Sequence, residues 1–304
     1  MPKRVLVGYG VDVDAVSGWI NTEDGTPANP TDISRGIFGA TVGIDRLLTL
    51  FAKSHIKATF FVPAHTLESF PSQLAKVRDS GHELGLHGYT HEYVSSLSIT
   101  QQAAVLDKSI QVLSEFCGGK KPRGWTAPAW MPSREAVRLL EETGIEYDHS
   151  FMHHDCQMFR LPDPAGTEVK VTDLKGEARE WMRPMGELKR SEVVEVPANW
   201  HLDDWPPFQF RLQGSSHGYV DTQVIERLWK EQFDFFYREY DTFVFPISIH
   251  PQVSGKPQVI LMHERIIQYI NSYEGVEWVT MEQMVDEFKA GRMPGVEVTG
   301  GVDL

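Results

Sequence analysis

The sequence predicts an α/β fold of parallel strands covered by helices, and three observations carry that prediction. Short apolar runs alternate with helix-length amphipathic segments over nearly the whole chain. Gly, Ser, Thr and Asp punctuate the ends of those segments where helices start and stop. No repeat, low-complexity stretch or Ser/Gly linker divides the 304 residues, so a single domain, 1–304, with its own core is expected.

In chain order, residues 5–9 read as the first strand and residues 37–53 as a helix. Residues 58–62 follow as a strand, 67–78 as a helix closed by Gly81, and 83–86 as a short strand. Thr100 is the expected N-cap of a helix running to Phe116, stopped by Gly118 and Gly119. Ser133 caps a helix ending near Thr143 and Gly144, and residues 193–196 form a strand ending at Pro197. Asp221 starts a long helix to about Tyr240, and residues 242–249 are the most strand-like run of the C-terminal half. A helix over 258–273, a strand over 276–279 and a helix over 281–289 complete the series. Between them, residues 150–218 form an irregular insertion rich in Pro, Trp, Phe and charge, longer than an ordinary connection and therefore of functional interest. The tail GVEVTGGVDL lacks helical periodicity and either packs on a neighbouring subunit or frays.

Lys and Arg total 29 against 42 Asp and Glu, a net charge of −13, which repels nucleic acid and anionic lipid and excludes both as expected partners. No apolar run approaches a membrane span, and the N-terminal apolar stretch is too short for a secretory signal, so a cytoplasmic protein is expected. Cys117 and Cys156 have no metal-knuckle spacing and read as free thiols.

Five motifs carry candidate chemistry. In VGYGVDVDAVSGW, Asp12 and Asp14 are two apart at a strand end and project to one face, where two carboxylates call for a cation between them; solvated loop acids are the alternative. In HELGLHGYTHEY, His87 and His91 are four apart and would share one face if GYT adopts a helical turn, a geometry for gripping one divalent ion. In RGWTAPAW, Arg123 begins a short strand flanked by Trp125 and Trp130, and either makes a surface ion pair or pins a neighbouring ionised Asp. NWHLDDWP sets Asp203 and Asp204 among Trp200 and Trp205, as a substrate-facing wall or a polar loop wrapped in core tryptophans. FPISIHPQVSGKP ends a strongly apolar strand at His250, and in a β/α barrel the carboxyl ends of strands collect catalytic side chains. His153, His154 and Asp155 cluster in the insertion with no strand to place them.

Taken together, DxD, HxxxH, RxxxxP, DDW and a strand-end His in this order resemble the polysaccharide deacetylase family, carbohydrate esterase family four. The branch most similar holds the Helicobacter-type peptidoglycan deacetylase, cyclic imide hydrolases and allantoinases. Two departures stand out: DVD replaces the adjacent acids of TFDD, and HPQVSGKP replaces the usual last motif. The resemblance implies a distorted (β/α) barrel and a homo-oligomer. It implies a divalent metal, zinc by ligand type, on Asp14, His87 and His91; Asp12 as base; His250 as acid; and Arg123 in support. Trp125, Trp200, Asp203, Asp204 and Trp205 become candidate substrate contacts. The implied activity is hydrolysis of a non-peptide amide, with a small molecule or oligosaccharide as substrate: an N-acetylated amino sugar first, a cyclic amide or ureide second. A non-catalytic binding protein with a vestigial site is the reading from another class.

Overall fold

The computed structural model describes residues 3–22, 25–210 and 218–303. At its centre, among the described residues, is one nine-stranded sheet. Its strands are β1 (Arg4–Asp12), β2 (Thr59–Val62), β3 (Glu83–Leu86), β4 (Gly124–Trp125), β5 (Tyr147–Asp148), β6 (Phe159–Pro162), β7 (Arg190–Glu195), β8 (Thr242–Ile249) and β9 (Val276–Trp278). Their order is β6-β7-β5-β4-β3-β2-β1-β8, with β9 beside the first half of β1. Pairing is parallel except between β6 and β7, and parallel neighbours require crossover connections, supplied here largely by helices. The sheet curls until its two edges meet through isolated contacts: Val244 N donates to Cys156 O at 3.0 Å, and Asp203 bridges Ser248. The result is the distorted barrel that the family resemblance implies.

Strand β1 explains how the barrel presents its acids. Its odd residues Val5, Val7, Tyr9 and Val11 face the outer helices and belong to the large core between sheet and helices. Its even residues point inward, where Leu6 meets Met281, Met284 and Val285 of the helix Met281–Lys289, which plugs the amino end of the barrel. Gly8 and Gly10 give that helix room, since a Cβ on either would lie under 3 Å from Met284 or Met281. The next inward position is Asp12, at the carboxyl end, and the two-residue period of a strand puts Asp14 on the same side.

Local details differ from the expectations. The helix Ile99–Phe116 is capped by Ser98, with Gln101 completing a capping box, rather than by Thr100. Ser133 does not cap a helix: its hydroxyl donates to Gln102, and the helix Ala136–Glu142 starts later. The first long helix begins at Pro30 and contains a π-turn, Gly39–Gly43. The tail folds on its own chain, Val302 N donating to Met185 O and Glu187 N to Val302 O. Residues 211–217 of the expected insertion lie outside the described residues.

Candidate active site

Asp12, Asp14, His87, His91 and His250 meet at the carboxyl end of the barrel, all buried. His87 Nε2 lies 3.4 Å from Asp14 Oδ1 and 3.8 Å from Asp12 Oδ2, and His91 Nε2 lies 3.6 Å from the same Asp14 oxygen. His250 Nε2 faces the two acids from the other side, 3.9 Å from Asp12 Oδ2 and 3.9 Å from Asp14 Oδ2.

His87 and His91 converge without a helical turn. Gly88 and His91 both take positive φ, 69° and 59°, which folds the intervening GYT back so that the two rings sit 4.9 Å apart. The expected helical geometry is thus replaced by a left-handed turn that brings the same two nitrogens together. Asn21 Nδ2 holds the turn by donating to His91 O at 2.6 Å. On the acid side, Thr66 Oγ1 and Ser17 N both donate to the Asp14 carbonyl. The first long helix presses on both site loops through glycines: a Cβ on Gly36 would lie 2.5 Å from Ala15 O, and one on Gly43 2.3 Å from Pro251 O. The π-turn between them is a feature common at functional sites.

Two buried atoms, Asp14 Oδ1 and His87 Nε2, have no hydrogen-bond partner although they lie 3.4 Å apart. An orphaned buried acceptor is costly unless something satisfies it. His87 Nδ1 is hydrogen-bonded to Thr126 O at 2.8 Å, so that nitrogen carries the proton and Nε2 is left with a free lone pair. One carboxylate oxygen and two imidazole nitrogens with ligand atoms within 4.8 Å of one another form a donor set suited to a borderline-soft divalent ion. The residues therefore fit a metal. Gln252 Nε2 donates to the other Asp14 oxygen, Oδ2, at 3.2 Å, which turns Oδ1 toward the two histidines.

The electrostatics separate the two acids. Burial raises the Asp12 carboxyl above its ordinary value, against the pull of the His87 and His250 imidazoles. Burial works in the same sense on Asp14, but the His91 and His87 imidazoles overcome it and hold Asp14 well below the usual carboxylate range. His250 is held well above its ordinary value: burial opposes its charge, and Asp204 more than compensates.

Several expected site residues lie elsewhere. Arg123 does not reach the acids, because it precedes β4 and so sits at the amino end of the barrel. There its guanidinium grips Glu146 at 2.8 and 2.9 Å and Asp286 at 2.6 Å. Trp125 is 5% exposed and packs in the core, its side chain on the outer face of the sheet, so it forms no substrate wall. Asp204 is fully buried and accepts from His250 Nδ1 at 2.7 Å, His250 N at 3.0 Å and Ser254 Oγ at 2.6 Å, leaving it to orient the imidazole rather than meet substrate. Asp203 is buried as well and accepts from Trp205 N at 2.7 Å. Trp205 does lie beside the site, 4.9 Å from the His250 ring and 6.3 Å from Trp19, whereas Trp200, 44% exposed, meets Trp130 at 4.6 Å. His153 packs on Phe151 and Phe159, and His154 Nδ1 accepts three backbone N–H groups, so neither joins the site.

Gln252, Ser254 and Trp19 are site neighbours that the motifs did not single out. The first two follow His250 by two and four residues inside FPISIHPQVSGKP, and their signal was polarity within an otherwise apolar turn. Gln252 also borders a cavity of about 760 Å³, walled in part by Phe208, Phe210, Arg35 and Lys256.

Comparison with known proteins agrees with this geometry. The polysaccharide deacetylase family pattern matches residues 38–147. A peptidoglycan deacetylase of Helicobacter pylori is 45% identical over 289 residues, covering 95% of this chain and 97% of its own length. A solved Mycobacterium smegmatis structure assigned to the polysaccharide deacetylases superposes with a TM-score of 0.81 at 24% identity, over 97% of this chain and 93% of that one. A solved allantoinase, Puue, superposes with a TM-score of 0.76 at 19% identity, over 95% and 91%; at those identities both structures speak to the fold alone. With Asp12, Asp14, His87, His91 and His250 converging on one point and a full-length relative at this identity, the chain belongs to the polysaccharide deacetylase family.

Proposed function

We propose that the protein is a metal-dependent hydrolase that removes the N-acetyl group from an amino sugar or a related small amide. The observation that carries this reading is the orphaned pair Asp14 Oδ1 and His87 Nε2, with His91 alongside and two further titratable groups, Asp12 and His250, on either side of the gap. Asp14, His87 and His91 would hold the ion. A divalent ion so placed, zinc by the nature of its donors, supplies a Lewis acid that polarises the amide carbonyl and acidifies water.

The chain's own residues then divide the proton work. Asp12 lies close enough to the ion site to take the proton from the attacking water, while Asp14 is committed by Gln252 and the histidines. His250, charged through Asp204, gives a proton from Nε2 to the departing nitrogen. Trp205 and Trp19 offer an apolar wall beside that imidazole, and Trp200 an exposed ring on which a sugar face can stack.

A second reading, hydrolysis of a cyclic amide or ureide, is favoured by the aromatic-walled cavity next to Gln252, whose size suits a compact ligand. Turnover of N-acetylated chito-oligomers measured beside hydantoin, a cyclic imide and allantoin separates the two. Acetate release from the oligomers alone supports the first reading. Ring opening without acetate release replaces it with the second, and turnover of neither panel by metal-loaded protein returns the chain to a ligand-binding role.

A further inference from the structure

We propose that Ser254, His263 and Tyr9 form a buried positioning relay that fixes the orientation of the acid imidazole His250 through Asp204. The proposal rests on the reading of His250 as proton donor given above. From the site inward, His250 Nδ1 bonds Asp204 Oδ1 at 2.7 Å, and Ser254 Oγ bonds Asp204 Oδ2 at 2.6 Å. Ser254 Oγ in turn bonds His263 Nε2 at 2.9 Å, and His263 Nδ1 bonds the Tyr9 hydroxyl at 3.2 Å. Asp204, Ser254, His263 and Tyr9 are all fully buried.

Every proton in this chain has a direction, and the carboxylate sets it. Asp204 receives three donors, so the Ser254 hydroxyl must give its hydrogen to Oδ2 and can only accept from His263. His263 therefore carries its proton on Nε2 and presents Nδ1 as an acceptor, which the Tyr9 hydroxyl fills. With Oδ2 taken by Ser254 and by the His250 backbone, Oδ1 is left for His250 Nδ1–H, and His250 Nε2 is turned toward Asp12 and Asp14.

The relay holds an orientation and does not carry charge. Burial lowers His263 to about 4 and raises Tyr9 above its ordinary value, so near neutral pH neither takes up nor gives up a proton. Packing alone does not explain these residues. The buried face of the helix Pro257–Ile270 is otherwise Val259, Met262, Ile266, Ile267 and Ile270, and a histidine among them costs stability that an apolar side chain would not.

The test compares His263→Gln, which keeps one donor and one acceptor, with His263→Met, which keeps only volume. It uses the full chain labelled with 15N-histidine, with zinc added for turnover. The wild type is expected to show His263 as the neutral Nε2–H tautomer and a protected His250 Nδ1–H signal. In His263→Met that signal broadens and turnover of N-acetylated chito-oligomers falls about tenfold, as for the loss of the neutral hydrogen bond that His263 gives to Ser254. In His263→Gln the signal returns and turnover recovers to within about threefold. Equal behaviour of the Met and Gln variants, or a wild-type His263 protonated on Nδ1, overturns the relay. Should His263→Met fail to fold, Ser254→Ala replaces it. There His263 is expected to populate both tautomers and His250 Nδ1–H to broaden, and unchanged spectra overturn the proposal. If the wild type turns over no oligomer, the deacetylase reading fails while the tautomer and the His250 signal still decide the relay.

Discussion

Replacing Arg123 by alanine separates a structural arginine from a catalytic one. In the wild type the guanidinium forks onto both Glu146 oxygens at 2.8 and 2.9 Å and reaches Asp286 at 2.6 Å, its side chain 22% exposed. Hydrogen bonds to charged partners are worth roughly 1.5–3 kcal/mol when buried, and exposed ion pairs roughly 0–1. A partly exposed fork that ties β4 and β5 to the helix Met281–Lys289 falls between, so Arg123→Ala is expected to cost about 2 kcal/mol. Glu146 keeps Lys289 as a partner, which limits the loss. For a chain of 304 residues the melting temperature should fall by roughly 3 °C. Bound metal and turnover should stay within about twofold of wild type well below the melt, since the guanidinium lies at the opposite end of the barrel from Asp12. Thermal melts, elemental analysis and acetate release on one preparation are sufficient. A tenfold loss of turnover with intact metal and an unchanged melt would refute the structural assignment and return Arg123 to the site.

Two further predictions concern neighbouring groups. Burial raises Glu83 to about 7 although Thr59, Tyr147 and the backbone of Glu282 all donate to it. The folded chain thus keeps a proton that the unfolded chain releases above its ordinary value of 4.5, and stability falls from about that pH up to about 7. Glu83→Gln removes this, so its stability relative to wild type should improve by about 3 kcal/mol between pH 4.5 and pH 8 in urea melts, and a pH-independent difference would refute it. Gln252→Ala frees Asp14 Oδ2 and should weaken zinc about 10–100-fold in a chelator competition while the fold is kept; unchanged affinity would show that Asp14 orients itself.

Much of this was legible in the sequence where the signal is local. Strands 83–86 and 242–249 and helix 281–289 stand at their predicted bounds, because an uninterrupted apolar run or a capped amphipathic segment needs no distant partner to be read. The DVD spacing likewise carried its meaning, since strand alternation alone puts both acids on the inner face. The errors came from long-range geometry. Strand polarity places Arg123 at the wrong end of the barrel, and Trp125 points outward into the core. Asp204 meets His250 across 46 residues, and His263, on a helix that otherwise reads as core, declares its role only through Ser254. The two-residue strand β5 and the β6–β7 pairing were hidden for the same reason: their partners, not their propensities, make them strands.

The most direct test of the central claim is metal content against site integrity. Elemental analysis of wild-type protein loaded with zinc and desalted is expected to give one ion per chain, and Asp14→Ala well below that under the same conditions, with acetate release from N-acetylated chito-oligomers lost in step. Asp14→Ala protein that retains a full equivalent of zinc and wild-type turnover would contradict the account.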